Sequence, residues 1–269
     1  MLNKKTVSAS SLVTYLACPY RYFLTYEAEG ERIKLPSNPD MIAGTGFHAS
    51  MEYAFRQVLD GKEPTIASAV AFGMARAKTE WDERGVSFDS FSGVSPASVL
   101  DATLTRVRDV SRWYLSNRFD TFYPLISEHK VLVDIPDRPG WQLDARIDLI
   151  EQDGSVVDFK LSGSKSLPHM DKADRSEQLS VYALARLLET GSIPPTLRLE
   201  YCRDGGKRIG DLTRGPSRRT EKDCERTLTR IQHVIDCIEA GVYPVASREG
   251  YECTGQRCQF FGQCSYGGK

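Results

Sequence analysis

The chain has 269 residues, 41% of them hydrophobic and 26% charged, with a formal net charge of −1 at pH 7. That length can bury one sizeable core, or one core with a helical annex, and the composition excludes a disordered or fibrous protein. The balanced charge excludes a globally polybasic molecule, so any nucleic-acid contact has to come from a local patch, and no apolar run approaches the roughly 18 residues that span a bilayer.

Lys4-Lys5 and the stretch up to Cys18 imitate an export leader. The apolar part is too short, however, and is interrupted by Ser11, Thr14 and Tyr15, so export is not expected. Seven cysteines, an odd number, then point to a reducing, cytoplasmic setting, where clustered cysteines are more often metal ligands than disulfides. A helix is expected from Ser8 to Ala17, capped by Ser8 or Ser10, with Leu12, Tyr15 and Leu16 inward and a break at Pro19. Tyr20, Tyr22, Phe23 and Tyr26 continue an aromatic face that either packs around Cys18 or, beside Arg21, stacks on bases.

Leu35 to Asp40 reads as a loop, and a second helix starts near Gly46 with Phe47, Met51, Phe55 and Leu59 as its apolar stripe. His48 lies one residue into that helix, behind Gly44 and Gly46. A lone histidine is more often structural than a ligand; near carboxylates it becomes a candidate metal ligand and shifts the preference toward Mn2+. Helices over 66–84 and 99–118, separated by the loop from Gly85 to Pro96, form an inserted helical portion. A strand follows near Leu125 to Ile135, in which Glu128 is either an upstream acidic member of the site or, as the safer reading, a polar strand position.

The stretch from Ala145 to Lys160 reads as a hairpin about Asp153-Gly154, because Ile147, Leu149, Val156 and Val157 flank a strong turn signal. The turn sets Asp148 beside Asp158, and period-two alternation puts Asp158 and Lys160 on one face with Phe159 on the other. Two converging carboxylates suit Mg2+ or Mn2+, although a solvated face with an incidental ion pair would read the same way. A helix over 173–189 carries Gln178 and Tyr182 one turn apart, alongside the apolar face of Leu179, Ala183 and Leu187. A strand over 196–202, a turn at Gly205-Gly206 and a helix over 220–240, closed by Gly241, complete the regular part. From Tyr201 to Lys222 there are seven Lys or Arg against three Asp or Glu, a local basic patch or a solvated loop. Cys202, Cys224 and Cys237 read as structural thiols.

The tail lacks apolar periodicity and holds Cys253, Cys258 and Cys264. Something has to order it. With Cys18 these make a four-thiolate site suited to zinc or to an iron-sulfur cluster.

Asp148 followed by Asp158-Phe159-Lys160 resembles the acidic core of the PD-(D/E)XK nuclease superfamily. The surrounding pieces are similar to its RecB-like and CRISPR-associated exonuclease branch: Gly44-Thr-Gly-Phe-His48, Gln178-Leu-Ser-Val-Tyr182, and the split set of Cys18, Cys253, Cys258 and Cys264. One departure is Ala145, where that branch usually has Gly. The resemblance implies an α/β, restriction-endonuclease-like mixed sheet at 124–241, a helical portion at 1–123 carrying Cys18 and His48, and a cysteine-rich tail at 242–269. It implies His48, Asp148, Asp158 and the Phe159 carbonyl as ligands of Mg2+ or Mn2+, Lys160 as the group that orients or deprotonates water, Gln178 and Tyr182 beside the site, and a 4Fe-4S cluster on the four cysteines, with zinc as the alternative. The implied function is cleavage of DNA, single-stranded and from the 5′ end, in recombination, repair or processing. The alternatives are a DNA-binding scaffold subunit of a recombination or CRISPR spacer-acquisition complex, or a structure-specific endonuclease or RNase. The aromatic row and the basic patch would flank a covered channel.

Overall fold

The computed structural model describes residues 5–27, 37–85, 94–206, 208–250, 252–255 and 257–267. Strand β1 (Lys5–Ser8) leads into helix α1 (Ala9–Ala17), whose capping box joins Ser8 and Ser11. Cys18 then caps the short α2 (Pro19–Tyr22), which runs into a π-helical turn over Phe23–Glu27. Helix α3 spans Pro39–Leu59, so it starts seven residues earlier than expected. Asn38 accepts a hydrogen bond from Met41 N and Pro39 occupies the first turn, so residues that read as a loop are in fact a helix start. His48 is consequently mid-helix, with a full turn and more ahead of it. Helices α4 (Ile66–Arg84) and α5 (Pro96–Arg118) follow; part of the intervening loop lies outside the described residues.

Among the described residues six strands form one mixed sheet: β1, β2 (Pro124–Asp134), β3 (Trp141–Glu151), β4 (Val156–Ser162), β5 (Leu197–Arg203) and β6 (Gly210–Ser217). β2 runs antiparallel along one edge of β3; β4 and β5 are parallel, and β6 is antiparallel at the far end. Helix α6 (Glu177–Thr190) and helix α7 (Glu221–Glu239) complete the chain before the tail. One core, including Leu12, Leu143, Ile147, Leu179, Leu184, Ile231 and Ile235, packs α1, α6 and α7 on one sheet face. A second, including Phe47, Phe55, Tyr114, Val157 and Phe159, packs α3 to α5 on the other. Burial of these apolar faces is the main stabilising term, at about 25 cal/mol per Å2 removed from water. Among the described residues no helix is long and apolar enough to cross a membrane.

The expected hairpin is present. Gly154 takes φ +84, and Asp153 accepts from Ser155 N to close the turn. Strands β1 and β6 lack sequence signals: the first is four residues long, and the second carries Gly210, Gly215 and Pro216 at the sheet edge.

Candidate active site

The site grows from a fork in the sheet. On the edge opposite β2, β3 pairs with β1 only over 141–144 and with β4 only at Leu149 and Ile150. Between them, at 145–148, that edge is open. Phe159 N therefore donates to Asp148 Oδ2, at 2.7 Å, in place of a ladder carbonyl. The same oxygen faces His48 Nδ1 from α3 at 3.4 Å.

Glu128 completes this half of the site. Its neighbours pair across the sheet, Ser127 with Leu149 and His129 with Ile147, so the register brackets Glu128 against Asp148. Its φ is +52, a left-handed conformation that a non-glycine residue adopts at a cost of roughly 1–3 kcal/mol and that clusters at functional sites. Among the described residues, His48, Glu128 and Asp148 are the one set of three His, Cys, Asp or Glu whose ligand atoms all lie within 4.8 Å of one another. Glu128 thus joins the candidate metal ligands, the reading that the sequence sets second to a polar strand position. Two carboxylates and an imidazole fit Mn2+ or Mg2+, which take oxygen donors with at most a little nitrogen.

The other half faces α6. Asp158 is fully buried, and Lys160 Nζ lies 2.7 Å from its Oδ2. That ammonium donates to Gln178 Oε1 at 2.9 Å, Gln178 Nε2 donates to Tyr182 Oη at 2.7 Å, and the Tyr182 hydroxyl donates to Asp158 Oδ1 at 3.4 Å. The four side chains close a ring. Gln178 and Tyr182 reach it because they lie one helical turn apart on α6. Phe159 turns its ring into the opposite core, as period-two alternation requires.

The charges are strongly coupled. Burial alone would lower the His48 imidazole, but the charges of Asp148 and Asp158 outweigh it and push it up to about 9. Burial would raise Asp148, yet His48 and Lys160 hold it below the usual carboxylate range. Burial and the Asp148 charge push Asp158 up to about 6. Burial, Asp148 and Glu52 push Glu128 up to about 7. Lys160 is disfavoured by burial but held above its ordinary value by Asp158.

Two clefts meet at this point. One is lined by Ser8, Ser10 and Thr14 at α1, Asp144, Arg146 and Asp148 on β3, and Gln178 and Tyr182. The other is lined by Thr45, His48 and Glu52 of α3, Arg76 and Arg84 of α4, and Glu128, Arg146 and Asp148. Neither takes the walls expected from sequence. Tyr22 is buried against Tyr15 and Tyr26, and Tyr20 packs on Tyr266. In the basic segment, Arg203 binds the carbonyls of Ser164 and Lys165, and Arg214 that of Pro168, so both guanidinium forks hold a loop.

The four candidate cluster cysteines line a common apolar pocket with Leu24, Phe260 and Tyr266. All seven cysteines are free thiols. Burial pushes the Cys258 thiol up, and Cys18 and Cys264 add to the shift. No three of these sulfurs lie within 4.8 Å of one another among the described residues. Four thiolates at about 2.3 Å from one zinc would be about 3.8 Å apart, whereas a cluster holds them further apart on separate irons. Cys202 and Cys224 are buried in the cores, and Cys237 packs against one of them.

A search of the curated proteins finds no match. Among solved structures, a candidate exonuclease from Eubacterium rectale has a TM-score of 0.55 at 11% identity over 93% of this chain and 87% of that chain. Weaker likenesses are SSO0001, with TM-score 0.44 and 14% identity over 100% and 90%, and the alkaline exonuclease LHK-Exo of Laribacter hongkongensis, with 0.34 and 11% over 89% and 91%. The first of the three supports a shared fold, and the other two carry no argument. The PD-(D/E)XK nuclease superfamily model matches residues 6–265. A match over nearly the whole length, on a sheet whose fork gathers Asp148, Asp158 and Lys160, means that this chain belongs to the PD-(D/E)XK nuclease superfamily.

Proposed function

We propose that this nuclease is a divalent-metal-dependent deoxyribonuclease of the RecB-like branch, an exonuclease that degrades linear single-stranded DNA from the 5′ end. The observation that carries the nuclease reading is the juxtaposition of the His48, Glu128 and Asp148 trio with the closed ring of Asp158, Lys160, Gln178 and Tyr182. His48, Glu128, Asp148 and Asp158, with the Phe159 carbonyl, would hold Mn2+ or Mg2+. When bound, the ion supplies Lewis-acid polarisation of the phosphoryl group and acidifies a water.

The chain's own residues do the rest. Lys160 stays an ammonium, because Asp158 holds its proton. It therefore orients the attacking water and offsets charge on the phosphoryl oxygens rather than acting as the base. Gln178 fixes that ammonium through its carbonyl oxygen, and Tyr182 fixes the amide by accepting from its nitrogen. Burial keeps the Tyr182 hydroxyl protonated, so it remains a donor to Asp158. Arg146, 69% exposed and shared by both clefts, is placed to hold a phosphate next to the scissile one.

The four-thiol pocket would hold a 4Fe-4S cluster, with zinc as the alternative; that no three of its sulfurs lie within 4.8 Å of one another suits ligands spread over separate irons. Free thiols fit a cytoplasmic setting. The 5′ polarity, and partners in recombination or CRISPR-associated complexes, rest on the motif resemblance alone. The test is cleavage of end-labelled linear single-stranded, duplex and RNA substrates with Mn2+ or Mg2+, beside Asp148→Asn. Cleavage of single-stranded DNA by the wild type and none by the variant is expected. Undiminished cleavage by D148N would remove the assigned site.

A further inference from the structure

The basic segment ends in a third cleft that the two active-site clefts do not share. It lies between α6 and α7, and five arginines line it: Arg175, Arg218, Arg219, Arg226 and Arg230. They face three carboxylates, those of Asp174, Glu177 and Asp223, so the cleft keeps a positive surplus in a chain whose net charge is −1.

The pairing inside the cleft shows which charges remain available. Arg175 is paired with Asp171, and Arg230 with Glu177. Arg219 is the floor. Its Nε donates to Ser180 Oγ at 2.9 Å, and its other nitrogens donate to Ser217 Oγ and to the carbonyls of Arg218, Ala173 and Ser176. Every one of those partners is neutral, so Arg219 is fixed in place without an ion pair, although its charge, like that of Arg226, acts on the Asp223 carboxylate. The guanidinium groups of Arg218 and Arg226 are exposed and make no ion pair or hydrogen bond among the described residues. Asp174 accepts from Ser217 Oγ, and Asp223 is held in the capping box with Thr220. Arg218, Arg219 and Arg226 outnumber Asp174 and Asp223 by one, and guanidinium groups free of direct ion pairs around one concavity suit a phosphate.

Its position says which phosphate. The first turns of α6 separate this cleft from the active site: Glu177 and Ser180 line the arginine side, while Gln178 and Tyr182 line the other. The separation is about one helix diameter, roughly 10 Å, or about two nucleotides along an extended single strand.

We propose that the Arg218, Arg219 and Arg226 cleft binds a backbone phosphate of the same strand whose scissile phosphate sits at Asp148, about two nucleotides away across α6. This rests on the nuclease reading above. The site adds affinity without base readout, because guanidinium forks on phosphates carry no sequence information. Strands too short to cross α6 do not reach it.

The experiment compares wild-type protein with the double variant R218Q/R226Q, whose altered side chains are exposed and unpartnered, and circular dichroism confirms the fold of both. Binding of a long oligothymidylate and of a trinucleotide is measured in EDTA over a range of salt, and cleavage of both is measured with Mn2+. The variant is expected to bind the long strand about ten-fold more weakly, with a salt slope shallower by about 1.4, the value for two contacts on a single strand. Its binding and cleavage of the trinucleotide should equal wild type. A wild-type protein that cleaves DNA while the variant matches its affinity and slope would overturn the cleft and leave the nuclease assignment standing. Inorganic phosphate that raises the melting temperature of wild type but not of R218Q/R226Q, together with equal long-strand binding, would make the cleft a small-anion site and overturn the proposal. A wild-type protein that neither binds nor cleaves DNA would overturn both readings.

Discussion

Glu128 is the residue at which sequence and structure part most. Its left-handed φ of +52 lets a strand residue turn a carboxylate toward His48 and Asp148, and no pattern in the sequence encodes that conformation. Asp148, Asp158, Lys160, Gln178 and Tyr182 were legible because alternation along β4 and the one-turn spacing on α6 are sequence periodicities. The conformation gives a sharp test. Glu128→Gly removes the ligand while suiting the backbone, so the metal-free melting temperature should hold or rise and the Mn2+-induced rise should vanish; a variant that kept that rise would exclude Glu128 as a ligand. The titrations give a second. In metal-free protein the His48 contribution is complete below its ordinary 6.5 and is lost as pH rises through about 9. Glu128 and Asp158, with pKa raised to about 7 and about 6, likewise favour the fold when protonated and lose that contribution as pH rises through those values. Asp148 acts oppositely, but its window lies below 3.8. All three raised groups therefore act in one direction, Asp158 up to about 6, Glu128 up to about 7 and His48 up to about 9, so between pH 6 and 9 the loss comes first from Glu128 and then from His48, and metal binding has to displace the protons. The melting temperature in EDTA should fall across that range while the shift produced by Mn2+ grows; a shift independent of pH would contradict the assigned ligands.

At the level of elements, His48 depends on how closely α3 and α4 approach. A Cβ on Gly73 would stand 1.9 Å from Ser50 Oγ and 2.4 Å from the Gly46 carbonyl, and one on Gly46 would be 2.8 Å from both Val107 methyls. These glycines are contact points of packed helices, not the flexible lead-in to a helix start that the Gly44-Thr-Gly46 spelling suggests. A Cβ on Gly44 would meet nothing within 4 Å. The two positions should therefore respond with opposite sign. Gly73→Ala is expected to destabilise by about 1–3 kcal/mol through overpacking and to weaken Mn2+ binding by displacing α3. Gly44→Ala should be neutral or stabilise by up to about 1 kcal/mol, the helix-interior difference between the residues. Urea midpoints of the two variants decide it, and equal losses would mean that α3 and α4 are not packed through Gly73. The elements the sequence concealed share a cause. The α3 start lies in a Pro/Asn/Asp-rich stretch where cap and loop are spelled alike, and β1 and β6 are edge strands whose pairing is decided by neighbours rather than by their own alternation.

Across the whole molecule the two ends of the chain are tied together. Tyr15 donates to the Val242 carbonyl, Tyr20 N to that of Pro244, and Arg21 pairs with Glu252, the last two beside the four-thiol pocket. The tail has turns but no helix or strand among its described residues; buried Phe260 and the contacts above hold it, and ligation by the four thiols would add to them. Anaerobically purified protein should be brown, and Cys258→Ser should bleach it and lower the melting temperature; colourless wild-type protein with one equivalent of zinc would overturn the cluster. The same architecture bears on how a strand enters. The two active-site clefts meet at Arg146 and Asp148, with α1 and β3 on one side and α3 and α4 on the other. An internal segment has to fill both clefts at once, ordering nucleotides on each side of the scissile phosphate, whereas a strand end orders one side only and loses less conformational entropy on entry. Linear single-stranded DNA is accordingly expected to be degraded at least about ten-fold faster than a circle of the same sequence with the same Mn2+, with binding of both weakening steeply as salt rises because phosphate contacts release counterions. Equal rates on circle and line would reject end-dependent attack and assign the site to an endonuclease.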